Sequence, residues 1–327
     1  MADKTDSFGE FTFSTEDVPS RDRLDVLREV IGRTITKLDV EPLTSEKFRI
    51  DMNLRALPGL GMAWAKTRTA MRTRRTRELL AQGNDDFVFE IALEGSVRVS
   101  QLGRETAYEN GMTLVSNAEP KTSVCSPGAT ILAIALPAAV LAPMIVDLEA
   151  AMMSVISLES GPLRLLVDYL VAINNDLVTG TPELRKLIVS HVHDLAALVI
   201  GAKSDFADIA RGRGVRAARF HKIKRDIAEH IGNRSLSIGA VAARQGISPS
   251  YIRKLFDAEG VTFSEFVLSQ RIARAHRMLT DPRYAGRTIS TIAFEAGFND
   301  LSYFNRTFLR HYHATPSDVR EAAKREK

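Results

Sequence analysis

ISTIAFEAGFNDLSYFNRTFLRHYHATPSDVR, residues 289 to 320, runs an apolar stripe beside a polar one. Phe298, Phe304 and Phe308 sit where a small helix buries them, whereas Ser302, Asn305 and Arg306 fall at i, i+3 and i+4 on another side. Ile289, Ile292 and Ala293 precede them on a short apolar helix. The spacing predicts two helices joined at Gly297, a residue that supplies turn geometry which side chains with a Cβ resist.

The pattern has a twin. Ile238, Val241, Ala242, Gly246 and Ile247 match Ile289, Ile292, Ala293, Gly297 and Phe298; Tyr251 and Phe256 match Tyr303 and Phe308; Thr262 and Ser264 match Thr315 and Ser317. The offset grows from 51 to 53 residues, so the unit is duplicated with small insertions. Each copy has the form of a helix-turn-helix, with Gly246 and Gly297 at the turns. The second helices carry polar side chains away from their apolar residues: Ser250, Tyr251, Arg253 and Lys254 in one, Ser302, Asn305 and Arg306 in the other. Arg and Lys donate to guanine O6 and N7 and Asn bonds adenine in both directions, so these side chains suit major-groove edges. A helical bundle without a ligand could show one such stripe; the repetition points to DNA. Residues 263 to 281 read as one helix with Phe266, Ile272, Ala275 and Leu279 inward. At 1.5 Å per residue it spans about 28 Å, which suits two recognition helices about one DNA turn, roughly 34 Å, apart. Tandem units in one chain predict a non-palindromic site.

Working outward, the charge is uneven. The net +4 divides into +11 from residue 211 onward, with 22 Lys+Arg against 11 Asp+Glu, and −7 before it. The basic third is the part suited to a polyanion. At 327 residues with 45% hydrophobic, the chain suits two domain cores. No run of eighteen apolar residues and no export signal are visible, and the single Cys125 leaves no intrachain disulfide or thiolate metal cluster; a reducing cytoplasm is the expected location.

Upstream, residues 10 to 40 hold an amphipathic helix with Leu24, Leu27, Ile31 and Ile35 on one side and Ser20 or Asp22 as caps. The period then shortens. Residues 48–57, 60–66, 86–93, 96–103, 112–116 and 129–136 read as six strands of a sandwich or barrel. Helices return at 162–174 and 182–202, joined at DLVTGT, as an antiparallel pair. The expected class is α+β, with an effector-sensing and dimerisation domain at 10–202, a linker at 203–221 and a DNA-binding domain at 222–323.

Residues 222 to 323, above all GISPSYIRKLFDAEGVTFSEFVLSQRIARA and the stretch quoted first, resemble the DNA-binding domain of the AraC/XylS family of bacterial transcription regulators. The resemblance implies base-facing side chains at Ser250, Tyr251, Arg253, Lys254, Leu301, Ser302, Asn305 and Arg306. It also implies double-stranded promoter DNA and RNA polymerase as partners. One departure stands out: His313 occupies a position where the family often has Gly, at a local cost in stability if the backbone there is left-handed. The amino-terminal part resembles, more diffusely, the cupin-like β-barrel fused to this domain, which implies a small-molecule effector and a homodimer.

A cupin-like barrel raises metal-dependent catalysis as a rival. All seven histidines lie at or after His191, so the β-rich region holds none, and carboxylates alone make a weak site; no metal, cofactor or enzymatic activity is expected. His191 lies on the stripe Leu184, Ile188, Leu195 and Leu198 and is read as packed, with His193 beside it. In RTAMRTRRTR (68–77), Arg72, Arg74 and Arg75 are weak candidates for an anionic effector on what is read as a solvated loop. Two alternatives stay open at this level: an alkyl acceptor at Cys125, otherwise read as a buried filler, and an architectural DNA binder without an effector.

Overall fold

The structure, a computed structural model, describes residues 9–44, 47–81, 85–173, 181–203, 207 and 212–325. Two compact units divide the chain, Met1–Ala218 and Arg219–Lys327. Among the described residues no helix is long and apolar enough to cross a membrane.

The first unit is built on a curled, ten-stranded antiparallel sheet. Its strands are β1 (Gly9–Ser14), β2 (Asp39–Pro42), β3 (Ile50–Leu57), β4 (Leu60–Thr67), β5 (Met71–Arg75), β6 (Phe87–Gln101), β7 (Arg104–Ser116), β8 (Lys121–Cys125), β9 (Thr130–Leu136) and β10 (Val155–Ser157). They are ordered β1-β3-β4-β9-β6-β8-β5-β2, with β7 pairing β6 and β10. Strand β6 organises the curl. Its first half pairs β9, its second half pairs β8, and the register shifts between Ala92 and Ser96. An extra residue at a bulge bends a strand and changes which parity faces inward. Val88 and Ala92 before the shift therefore join the same core as Val97 and Val99 after it. This is why residues 86–93 and 96–103 read as two separate strands: the alternation changes phase within one.

Helix α1 (Arg23–Thr34) closes that core with Leu27, Val30 and Ile31. Phe89, Ile91, Met112, Leu114, Leu132 and Ile134 form a second core with α2 (Gly161–Ala172) and α3 (Pro182–Ile200). The expected joint DLVTGT lies outside the described residues except for Thr181, whose hydroxyl caps α3 by accepting from Leu184 N. The pair is fixed by Tyr169 and His191, whose hydroxyl and Nδ1 are 2.8 Å apart. His193 Nε2 lies 2.8 Å from Gly59 O, in the turn between β3 and β4. Burial lowers the pKa of both histidines, as expected of packed imidazoles.

Two expectations are corrected here. Residues 71–75 are not a solvated loop but strand β5, between β8 and β2. The stretch 203–221, expected as a linker, is helical from Gly214 onward within α4 (Gly214–His230); residues 204–206 and 208–211 of it lie outside the described residues. Its Arg213 donates from Nε and Nη2 to Asp194 at 2.8 and 3.0 Å, and Gly214 approaches Asp194 so closely that a Cβ would stand 2.9 Å from the Asp194 Cβ.

Among its described residues the second unit is built of helices alone: the remainder of α4, α5 (Ile238–Gln245), α6 (Pro249–Ala258), α7 (Phe263–Thr280), α8 (Ile289–Glu295), α9 (Leu301–Tyr312) and α10 (Pro316–Arg325). It has two cores, one per repeat. Phe220, Ile223 and Ile227 of α4 pack with Val241, Ile252, Leu255 and Phe256; Ile272, Ala275 and Leu279 of α7 pack with Ile292, Phe298, Phe304 and Phe308.

Candidate nucleic-acid interface

The duplicated pattern becomes two helix pairs, α5–α6 and α8–α9, whose ends are built alike. Ser237 and Thr288 cap α5 and α8 by accepting from Ala240 N and Thr291 N. Ser248 and Asp300 cap α6 and α9 by accepting from Tyr251 N and Tyr303 N. Side-chain oxygens at these positions satisfy donors that the first helical turn leaves open. The turns hold Gly246 at φ 63° and Gly297 at φ 100°, both left-handed. A Cβ on Gly297 would stand 2.4 Å from Ile231 O and 2.7 Å from Arg271 Nε.

The recurring Thr-x-Ser is also a cap. Thr262 and Glu265 form a capping box at α7: Thr262 Oγ1 accepts from Glu265 N, and Thr262 N donates to Glu265 Oε2 at 2.9 Å. Thr315 and Asp318 repeat it at α10, with Thr315 N donating to Asp318 Oδ2 at 3.0 Å. The Glu265 carboxyl lies below its ordinary range because the Thr262 backbone N–H and hydroxyl donate to it, and the Asp318 carboxyl is lowered by the Thr315 side chain and backbone.

On α6, Ile252, Leu255 and Phe256 are buried while Ser250, Arg253 and Lys254 are exposed. Tyr251 is half-buried, with the Arg219 guanidinium 5.6 Å from its ring centre. On α9, Phe304, Thr307 and Phe308 are buried; Ser302, Asn305 and Arg306 are exposed, and Leu301 is half-buried against the core. The structure therefore brings each expected set together on one helix, with Tyr251 and Leu301 partly committed to packing.

The electrostatics separate these side chains from other arginines of the unit. Arg244 is held bidentately by Asp226 at 2.9 and 2.8 Å, Arg283 by Asp281, and Arg287 by Glu295 at 2.7 Å. Arg234 lies over the Phe294 ring. No such partner engages Arg253, Lys254, Asn305 or Arg306 among the described residues; their donors face solvent.

Sequence reading missed the six caps as a set and missed Arg271. This residue of α7 donates to Ile231 O at 3.3 Å and Asn233 O at 2.9 Å while abutting the Gly297 turn, so it ties the end of α4 to the second repeat. The caps had a signal, Ser, Thr or Asp before each apolar run; Arg271 had none, because its acceptors are backbone carbonyls 40 and 38 residues away.

In the first unit the three arginines considered for an effector diverge. Arg72 and Arg74 share the Glu41 carboxylate of β2 at 3.0 and 2.7 Å. Arg75 is 2% exposed and donates to Asn117 O and Lys37 O. Cys125 is buried, and that burial pushes its thiol up to about 12, which leaves it an inert filler and a poor nucleophile at neutral pH.

The sequence matches the AraC-binding-like domain family over residues 27–200 and a helix-turn-helix domain family over 241–322. The transcriptional activator RhrA of Rhizobium meliloti (strain 1021) is 36% identical over 188 residues, 58% of each chain. The arabinose operon regulatory protein of Escherichia coli (strain K12) is 32% identical over 95 residues, which are 29% of this chain and 32% of that protein. The matches thus span little more than half the length of RhrA and a third of the arabinose regulator. The crystal structure of the AraC-like transcriptional activator CuxR aligns over 88% of this chain and 100% of that one, at 18% identity and a TM-score of 0.49.

Proposed function

We infer the function from one premise: the chain belongs to the AraC/XylS family of transcription regulators, with an AraC-binding-like domain followed by a helix-turn-helix domain. It is a sequence-specific regulator whose two helix-turn-helix units read successive major grooves of promoter DNA. The observation that carries this reading is the set of unpartnered donors on α6 and α9, exposed on helices whose other side is fully buried. Arg253, Lys254, Asn305 and Arg306 are the principal readers; Ser250 and Ser302 stand at the helix starts, where DNA approaches, and Tyr251 and Leu301 contribute contact area.

The first unit senses a small-molecule effector within a cupin-like half-barrel and forms a homodimer in the cytoplasm. Val171 on α2 and Leu184 and Leu187 on α3 support the dimer, since these large apolar side chains are 39 to 48% exposed on the helix pair. Effector binding biases promoter occupancy or polymerase contact by favouring one conformational state.

Footprinting on DNA from its own upstream intergenic region, with salt varied, tests the reading. The expected result is a protected region spanning two or more successive major grooves at physiological salt. Arg306→Ala should weaken that site by about 1 to 3 kcal/mol and relax one base preference. An equal loss on every DNA sequence would make Arg306 a phosphate contact instead.

A further inference from the structure

Two of the strands that sequence reading overlooked, β5 and β8, carry polar residues on their inward side. In β5 the buried residues are Met71, Thr73 and Arg75; in β8 they are Lys121, Ser123 and Cys125. Lys121 is paired with Glu90, which also accepts from Ser123 Oγ at 2.9 Å, so that charge is cancelled within the barrel wall. Arg75 is not cancelled. Its Nε and Nη1 donate to backbone carbonyls at 2.6 and 3.0 Å, its Nη2 has no acceptor, and no described carboxylate pairs with it. A buried guanidinium without a counter-charge is costly, and a fold seeking only stability would replace it.

Beside it lies a cavity of about 690 Å³, between the end of β5, the β6–β7 hairpin and the start of β8. Its wall carries Arg74, Arg75, Arg104 and Lys121 against Glu105 and Glu119. Arg74 and Lys121 already have carboxylate partners. Glu105 is engaged by Ser100 at 3.2 Å and Arg98 at 3.7 Å. Arg104 resembles Arg75 in leaning on carbonyls, those of Glu149 and Met152 at 3.3 Å, its nearest carboxylate being the exposed Glu149 at 4.0 Å. At the hairpin tip Leu102 and Gly103 form the two-residue turn, both at positive φ as such turns require, and the half-exposed Leu102 places an apolar side chain on the cavity lip.

We propose that this cavity is an anion site, taking a small organic carboxylate or phosphate whose charge lies between Arg75 and Arg104 and whose carbon skeleton contacts Leu102. The proposal rests on the reading of the first unit as an effector sensor and gives the effector a chemical class. Arg72 is outside it, since it does not line the cavity.

The test is thermal unfolding of the full-length chain at constant ionic strength, titrated with citrate or with inorganic phosphate in place of chloride. A buried guanidinium with no carboxylate partner, beside one whose nearest carboxylate is exposed and 4.0 Å away, should hold such an anion at about millimolar concentration. The expected result is a saturable rise in melting temperature with at least one anion, its midpoint shifted about tenfold in Arg104→Gln, a half-exposed position whose loss leaves the core intact. Arg306→Ala should leave the midpoint unchanged, which separates this site from phosphate binding by the helix-turn-helix unit. An identical titration in Arg104→Gln, or no saturation with either anion up to about 50 mM, overturns the site. The upstream-DNA footprint is read separately: a footprint without an anion site removes this proposal and leaves the regulator standing, and an anion site without a footprint does the reverse.

Discussion

Gly246 and Gly297 occupy equivalent turns, yet their surroundings differ in a way that only coordinates reveal. Both have left-handed φ, which penalises any Cβ, but Gly246 has nothing within 4 Å of that position whereas Gly297 faces the Ile231 carbonyl at 2.4 Å. Gly246→Ala should therefore cost about 1 kcal/mol, the backbone penalty alone. Gly297→Ala should cost more than about 3 kcal/mol, because a backbone carbonyl cannot step aside as a flexible side chain can. Urea unfolding of the two variants checks the ranking; equal costs would mean that the α4 end is free to move. His313 is the reverse case. It caps α9 at φ 56° and ψ 19°, the left-handed conformation its position suggested, and its N–H donates to Leu309 O at 2.8 Å. His313→Gly should stabilise the chain by about 0.5 to 1 kcal/mol, the Cβ strain less the entropy glycine adds to the unfolded state. A neutral or negative result would show that the imidazole makes a compensating contact.

At the scale of elements, what was legible followed from which side chains point inward. The repeats were readable because helix-turn-helix packing uses Ile, Ala, Gly and Phe at fixed spacing, and β3, β4 and β9 because they bury apolar residues. Strands β5 and β8 were not readable, since their inward residues include Thr73, Arg75, Lys121 and Ser123 while Val124 points the other way. β1, β2 and β10 were missed as well; β2 and β10 are only 4 and 3 residues long, too short to show a period. The two polar-faced helices could be picked out from sequence, but the free state of their donors could not, because an unpaired Arg and one clamped by Asp226 look the same in a string of letters. The repeated Thr-x-Ser was visible and its meaning was not. As capping boxes, Thr262–Glu265 and Thr315–Asp318 depend on ionised carboxylates whose folded pKa values are depressed. Depressed values stabilise above the unfolded carboxylate pKa and lose that effect as pH falls through the lowered, folded one. Thr262→Ala should lower the melting temperature by about 3 °C at pH 7, and the gap to the parent should narrow as pH falls through the lowered, folded pKa of Glu265. A gap independent of pH would assign the whole effect to the hydroxyl.

Across the whole molecule, charge is divided unevenly: −4 over residues 1–218 (25 Lys+Arg against 29 Asp+Glu) and +8 over residues 219–327 (19 against 11). Net negative charge carried in the same chain as a basic DNA-binding domain reduces that domain's nonspecific attraction to phosphates. Residues 219–327 carry two cores of their own, so they can be compared with the full chain. On a short random-sequence duplex, too short for two protomers, the fragment should bind more tightly at low salt. Repulsion between the acidic half and the phosphates is screened over about 10 Å at 0.1 M salt, whereas counterion release from the basic helices is common to both proteins. The fragment's log affinity should accordingly fall more steeply with log salt, and the two lines should converge near physiological ionic strength. Parallel lines would mean that the acidic half never comes within screening distance of bound DNA, and that its charge serves another purpose, such as solubility.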